Sequence, residues 1–350
     1  MSKIKISATI KPTLDDNAVL KNMIDSGADI IRIPFWTSAE EQLEKNIEFI
    51  QKYSDQNDKP TEILLDLPGN KIRFGSFAQD PTQFFPDTEY HLFEGQNSDN
   101  PLRLPVDFPG FASLCQIGDE LICGDGEVVL RVTSKDDNSL KAKSESVATV
   151  YSKKGIAITG RDTHLLETNK GFLDYGINFA SKYGIQWLAL SFTSKSCQIE
   201  YMKNKLSNDT KVMAKIESQL GIDNLDDILL ASDGVMIARG DLAVYVDYSM
   251  LGVLQKRIIE RSKIARKFCM LSTGVMMSAM EKARPRPAEI LDISNAVLDG
   301  VDAIQLCEET AHGKNPGYII KIARKIIDTT LSNYDTHDRK HVSMLRAGIL

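Results

Sequence analysis

The chain has 350 residues, 42% hydrophobic and 26% charged, the make-up of an ordinary folded protein. Its formal charge of −6 at pH 7 argues against a nucleic-acid surface, and no apolar run reaches the roughly 18 residues of a membrane-spanning helix. Five cysteines without repeated spacing, five histidines without ligand spacing, and a residue 1–10 segment that alternates polar and apolar point to a cytoplasmic protein with reduced thiols and no zinc.

Short apolar runs then recur along the chain, at residues 4–10, 29–35, 62–67, 186–192, 211–216, 234–238, 267–272 and 302–306. Continuous apolar runs are the mark of parallel strands buried on both faces. Helical patterns fill the intervals. In the first, Thr13 and Asp16 form a capping box, Val19, Leu20, Met23 and Ile24 make one apolar face, and Gly27 stands where the helix would stop. Eight such alternations predict a (β/α)8 TIM barrel, although an open doubly wound sheet has the same periodicity. Between Arg73 and about Gly155 the rhythm breaks into Pro, Asp, Asn and Gly with short alternating stretches, and residues 134–139 read as a hairpin connection. So long an interval is too much for a loop. It predicts a small β-barrel-like lid domain inserted after the third strand, with a decorative insertion as the alternative. The barrel is thereby assigned to residues 1–73 and 156–335, the lid to 74–155 and a tail to 336–350.

In a barrel, chemistry sits at the carboxyl ends of the strands. Lys215 and Glu217 end one run, and Asp241 follows the next. Neighbouring strands would bring this ammonium and the two carboxylates to one rim. Two carboxylates with few other ligands suit Mg²⁺, which keeps its waters and bridges to a phosphorylated substrate. The lysine would supply positive charge where a transferred phosphoryl group develops negative charge. A surface ion-pair cluster is the plainer reading. Lys11, Arg32, Asp66, Arg73, Ser191, Arg239, Thr273, Glu309 and Thr310 also fall at strand ends, and the arginines favour an anionic, phosphorylated substrate.

With these residues in place, the sequence resembles the pyruvate kinase family. The likeness is carried by Lys215-Ile216-Glu217, by Ala238-Arg239-Gly240-Asp241-Leu242, by residues 294–300, and by Glu309-Thr310-Ala311 followed by Gly313. Ser26-Gly27 leading into Ile31-Arg32, and Gly69 leading into Ile72-Arg73, extend it from Lys3 to about Ile327. The resemblance implies a barrel with a β-rich lid, Mg²⁺ or Mn²⁺ as cofactor, and passage of a phosphoryl group from phosphoenolpyruvate to ADP, giving pyruvate and ATP. It implies Glu217 and Asp241 as metal ligands and Lys215 as the lysine that stabilises the phosphoryl group in flight. Arg32 and Arg73 match phosphate-contacting arginines, Thr273 the threonine near the proton-accepting face of the enolate, and Lys154 a nucleotide-contacting lysine. Ala238, Arg239 and Gly240 match the turn whose backbone amides hold the substrate carboxylate.

The departures from that pattern carry expectations of their own. The family usually continues into a carboxyl-terminal allosteric domain, so sugar-phosphate control is not expected here. Pro34, Trp36 and Leu67 stand where the family binds K⁺ through Asn, Ser and Thr, leaving only Asp66. Lys71 stands where potassium-dependent members carry Glu, so its ammonium is expected to substitute for K⁺. Thr37, Gln42, Gly274 and Cys307 replace a histidine, an aromatic residue, a glutamine and a serine near nucleotide and substrate. A K⁺-independent phosphotransferase is therefore the leading expectation. An enzyme of the same enolate with another acceptor, or with aldolase or lyase chemistry, is the alternative, and a non-catalytic binding subunit is a third. A homo-oligomer, as a dimer through the barrel, is expected, with neither nucleic-acid nor membrane partners.

Overall fold

The computed structural model describes residues 3–11, 13–35, 40–69, 71–124, 126–159, 170–206 and 209–333. In chain order the strands are β1 (Lys5–Thr9), β2 (Ile30–Pro34), β3 (Glu62–Leu67), β4 (Thr82–Phe84), β5 (Glu89–Glu94), β6 (Arg103–Val106), β7 (Glu120–Cys123) and β8 (Val128–Lys135). They continue with β9 (Ser139–Ser144), β10 (Ala148–Val150), β11 (Ile156–Ile158), β12 (Trp187–Leu190), β13 (Lys211–Ile216), β14 (Gly234–Ala238), β15 (Phe268–Ser272) and β16 (Ala303–Leu306). All eight apolar runs have become parallel strands of one closed barrel, ordered β1-β16-β15-β14-β13-β12-β3-β2. The open sheet is excluded because β1 pairs with both β2 and β16.

Successive residues of a strand face opposite sides, and here both sides are packed. Along β13, Val212, Ala214 and Ile216 join the large core under the helices, whereas Met213 faces the barrel interior. The interior is filled by Ile30, Leu64, Trp187, Met213, Met236 and Met270. Two residues farther along four of these strands, the inward position turns polar: Arg32 follows Ile30, Asp66 follows Leu64, Lys215 follows Met213 and Ser272 follows Met270. The same alternation that builds the core thus lifts charged side chains onto its upper surface.

The first barrel helix, Asn17–Asp25, starts later than the capping-box reading gives. Asp16, not Thr13, is its N-cap and accepts from the Ala18 amide. Leu20, Met23 and Ile24 are buried as expected, and Gly27 leaves the helix region at φ +101°.

After β3 the chain enters a second β unit with a core of its own, including Phe74, Phe84, Tyr90 and Phe111. Its strands form a six-stranded sheet, β11-β7-β8-β9-β5-β6, and a β10–β4 pair. The anticipated hairpin is the antiparallel β8–β9 pair. A short helix, Phe111–Leu114, lies in a stretch without helical periodicity. β11, which begins where the sequence suggests a return to the barrel, pairs with β7 of this unit. Ala157 of β11 packs with Phe192, Val244 and Tyr245 beside the barrel mouth, joining the two units. No described helix is long and apolar enough to cross a membrane. The tail from residue 336, Trp36 and Thr37 lie outside the described residues.

Thr310, just beyond β16, closes the ring. Its hydroxyl accepts from the Thr9 amide at 2.9 Å and lies 2.9 Å from the Thr9 carbonyl. Thr310→Val keeps the shape but leaves that buried amide unpaired, a loss of about 1–3 kcal/mol. Urea unfolding should show a lower midpoint with an unchanged slope.

Candidate active site

Lys215 is the centre of the carboxyl-end rim. Its Nζ lies 3.2 Å from Asp66 Oδ1 and 3.1 Å from Glu217 Oε1, and it donates to Ser191 Oγ at 2.7 Å. Arg32 takes the other oxygen of Asp66, through Nε at 2.8 Å and Nη2 at 2.6 Å, and reaches Thr9 Oγ1 at 3.3 Å. Asp66 thus bridges two cations, and all its side-chain surface is buried. Glu217 Oε2 accepts from the Phe192 amide at 2.6 Å, and Phe192 adopts φ +53° at that turn.

Burial opposes every charge in this group, and the neighbouring charges reinforce or outweigh it. Burial alone would raise the Asp66 carboxyl, but Lys215 and Arg32 outweigh it and hold Asp66 below the usual carboxylate range. For Lys215, burial is outweighed by Asp66 and Glu217, so the ammonium is held above its ordinary value. Glu217 goes the other way. Burial, with Asp241 and Asp66 adding to it, exceeds the help from Lys215 and pushes its carboxyl up. Glu217 is therefore an incompletely neutralised carboxylate facing a second one.

Asp241 lies in the first turn of the helix Arg239–Tyr245 and forms an ion pair with Lys71. Lys71 passes directly over Gly155, where a Cβ would stand 2.1 Å from Lys71 Cε. Gly240 is also confined, since its Cβ would come within 2.9 Å of Thr273 Cγ2. Arg239 does not join the convergent cations suggested by its place at a strand end. Its guanidinium turns to Asp292, 2.8 Å from Nη1, and donates from Nη2 to the Thr273 carbonyl at 2.8 Å. It thereby braces Thr273, which sits at φ +76°.

These groups face one cavity of about 430 Å³. Arg32, Asp66, Ser191, Lys215 and Glu217 line it together with Ala238, Gly240, Asp241 and Thr273. Lys71, Arg73 and Lys154 also border it. Arg73 donates to the Lys153 carbonyl at 3.1 Å, and Lys154 is 3.7 Å from Glu127. Three strand-end residues lie outside this lining. Lys11 is exposed and does not line the cavity. Glu309 is fully buried and clamps the amides of Met276 and Cys307 at 2.8 and 2.7 Å, while Thr310 is the barrel clamp described above. Gln42 donates to the Leu14 carbonyl at 2.7 Å and is no part of the lining. Gln305, Ser272 and Glu308 border the cavity without having been singled out. The one available signal for Gln305 was an amide inside an otherwise apolar strand.

Asp66→Asn would leave Arg32 and Lys215 buried beside a neutral group, a loss of about 3–5 kcal/mol. Because the folded carboxyl is lowered, its contribution is complete above the unfolded value of about 3.9 and fades as pH falls through the lower folded value. A series of urea midpoints against pH should therefore lose part of its acid limb in Asp66→Asn.

The family model for the pyruvate kinase barrel domain matches residues 1–320. The pyruvate kinase of Thermococcus litoralis is 33% identical over 341 residues, covering 94% of this chain and 70% of that protein. That of Thermotoga maritima is 29% identical over 332 residues, covering 93% and 70%. The crystal structure of a pyruvate kinase from Cryptosporidium parvum matches with a TM-score of 0.85 and 26% identity, over 97% of this chain and 71% of that one. A barrel family model over nearly the whole chain, with relatives alike in sequence and fold, identifies the chain as a member of the pyruvate kinase family.

Proposed function

We propose that this chain transfers a phosphoryl group between phosphoenolpyruvate and ADP with Mg²⁺ or Mn²⁺, without a requirement for K⁺. The observation that carries the proposal is the buried Lys215 ammonium, 3.1 Å from Glu217 and 3.2 Å from Asp66, on the wall of a cavity shared with Asp241, Arg32 and Arg73. Phosphoryl transfer needs positioning and charge stabilisation more than covalent chemistry, and this cavity offers both.

Among the described residues no group of three His, Cys, Asp or Glu could form an all-protein cage. Glu217 and Asp241 instead give two cavity-facing carboxylates, and the raised Glu217 carboxyl is what a divalent cation would relieve. That donor set fits a hard cation completed by water and substrate oxygens. Glu217 and Asp241 would hold it, and when bound it supplies charge neutralisation at the phosphate and enolate oxygens. Lys215 is fixed by its two carboxylates and Ser191, so it meets the developing charge without reorganising. Arg32 and Arg73 attract the phosphate, and Thr273, braced by Arg239, faces the carbon that must be protonated. The β unit inserted after β3 serves as the lid, bringing Lys154 to the nucleotide side and restricting water.

Independence from K⁺ is supported by three features. Pro34 and Leu67 are buried and offer no side-chain oxygen, Asp66 is already bound by Arg32 and Lys215, and the Lys71 ammonium sits beside Asp241. A different acceptor is the second reading, favoured by the engagement of Gln42 with Leu14 and of Lys154 with Glu127.

Purified protein should release pyruvate from phosphoenolpyruvate with Mg²⁺ and ADP, followed by a coupled dehydrogenase assay. Lys215→Met should lower kcat by about 10³-fold while remaining folded by circular dichroism. Hydrolysis or transfer that ignores ADP would favour the second reading. At constant ionic strength, exchanging Na⁺ for K⁺ should change the rate by less than about twofold, whereas activation beyond about tenfold would contradict the role given to Lys71.

A further inference from the structure

A hydrogen-bonded polar chain runs across β1, β15 and β16 at the edge of the cavity. Ser7, Ser272 and Gln305 are 0%, 2% and 1% exposed. The Ser7 hydroxyl donates to Gln305 Oε1 at 3.3 Å, and Gln305 Nε2 donates to Ser272 Oγ at 2.7 Å. Ser272 Oγ then lies 3.4 Å from both Thr273 Oγ1 and Cys307 Sγ, two groups that line the cavity. Gln305 Nε2 also approaches Cys307 Sγ at 3.5 Å. The register places these groups side by side, with Gln305 opposite Ser272 on β15 and Ser7 on β1.

A hydroxyl has one hydrogen and two lone-pair positions. Gln305 Nε2 fills one of those lone pairs. Ser272 is left with one donor and one acceptor position for its two remaining neighbours, so thiol, hydroxyl and hydroxyl become a single directed run. A buried carboxamide is costly unless paired. The layer just below it, with Met236, Met270 and Ala303, is apolar.

We infer that Gln305, anchored by Ser7, is a positioning residue for protonation of the enolate. It orients Ser272 between Cys307 and Thr273. The inference rests on the enolate chemistry proposed above. In the step it serves, the enolate electron pair forms a C–H bond as the Thr273 O–H bond breaks. Ser272 returns a proton to Thr273, Cys307 returns one to Ser272, and cavity water reprotonates the thiolate.

The test uses the full chain and two readouts: kcat for pyruvate release, and exchange of pyruvate methyl protons with D₂O in the presence of Mg²⁺ and ATP. Gln305→Met should lower both by about tenfold, with KM for phosphoenolpyruvate within about twofold of wild type. Ser7→Ala, which removes a single hydroxyl, should shift both in the same direction and serves if Gln305→Met does not fold. Because Gln305 acts through Ser272, adding Gln305→Met to Ser272→Ala should bring little further loss. Wild-type exchange and turnover in folded Gln305→Met and Ser7→Ala, or losses that multiply in the double variant, would overturn the inference. A wild-type protein that neither releases pyruvate nor exchanges its protons would instead overturn the underlying function.

Discussion

Two oppositely charged side chains, Lys215 and Asp66, meet 3.2 Å apart where water is nearly absent, and the upper half of the barrel is arranged around them. Neither charge would be tolerable there alone, because an unpaired ion in a low-dielectric interior costs several kcal/mol. Asp66 therefore needs both Lys215 and Arg32, and Lys215 needs both Asp66 and Glu217. Arg32 reaches Thr9, whose backbone is gripped by Thr310. Ring closure and the charge pattern of the cavity are thus parts of one structure. A lysine held in this way could meet developing charge without reorganising, which is what the proposed function asks of it.

The barrel achieves this by changing chemistry along its own axis. Its lower interior is filled by Ile30, Leu64, Met213 and Met270, and two residues farther along those strands the inward positions are Arg32, Asp66, Lys215 and Ser272. The turns just beyond bend to keep the polar groups in place. Phe192 and Thr273 both adopt positive φ, the first offering its amide to Glu217 and the second its carbonyl to Arg239. Such conformations are disfavoured for residues with a Cβ and persist where surrounding contacts fix them.

Much of this was legible in the sequence because it is local and periodic. Every barrel strand announced itself as an apolar run, and Lys215, Glu217 and Asp241 stood out as charges at the ends of such runs. The reading fell short where long-range geometry decides. A strand-end position does not say which way a long side chain turns, so Arg239 looked like a cavity cation yet pairs with Asp292. Glu309 and Thr310 resemble rim residues in the sequence and are internal clamps, because each also holds a distant partner, Met276 and Thr9. Gln305 was hidden inside an apolar run, and only the neighbouring strands reveal Ser7 and Ser272 beside it. The first helix began at Asn17 because Asp16 caps it, a choice between two capping residues that local sequence leaves balanced.

The proposed function places one requirement on the rim: Glu217 and Asp241 should share a divalent cation. Titration of the protein with Mn²⁺, followed by electron paramagnetic resonance, tests this most directly. Wild type should bind Mn²⁺ more tightly when phosphoenolpyruvate is present, and Glu217→Gln or Asp241→Asn should abolish that tightening. Mn²⁺ binding that is indifferent to both substitutions and to phosphoenolpyruvate would contradict the metal-centred reading of the site.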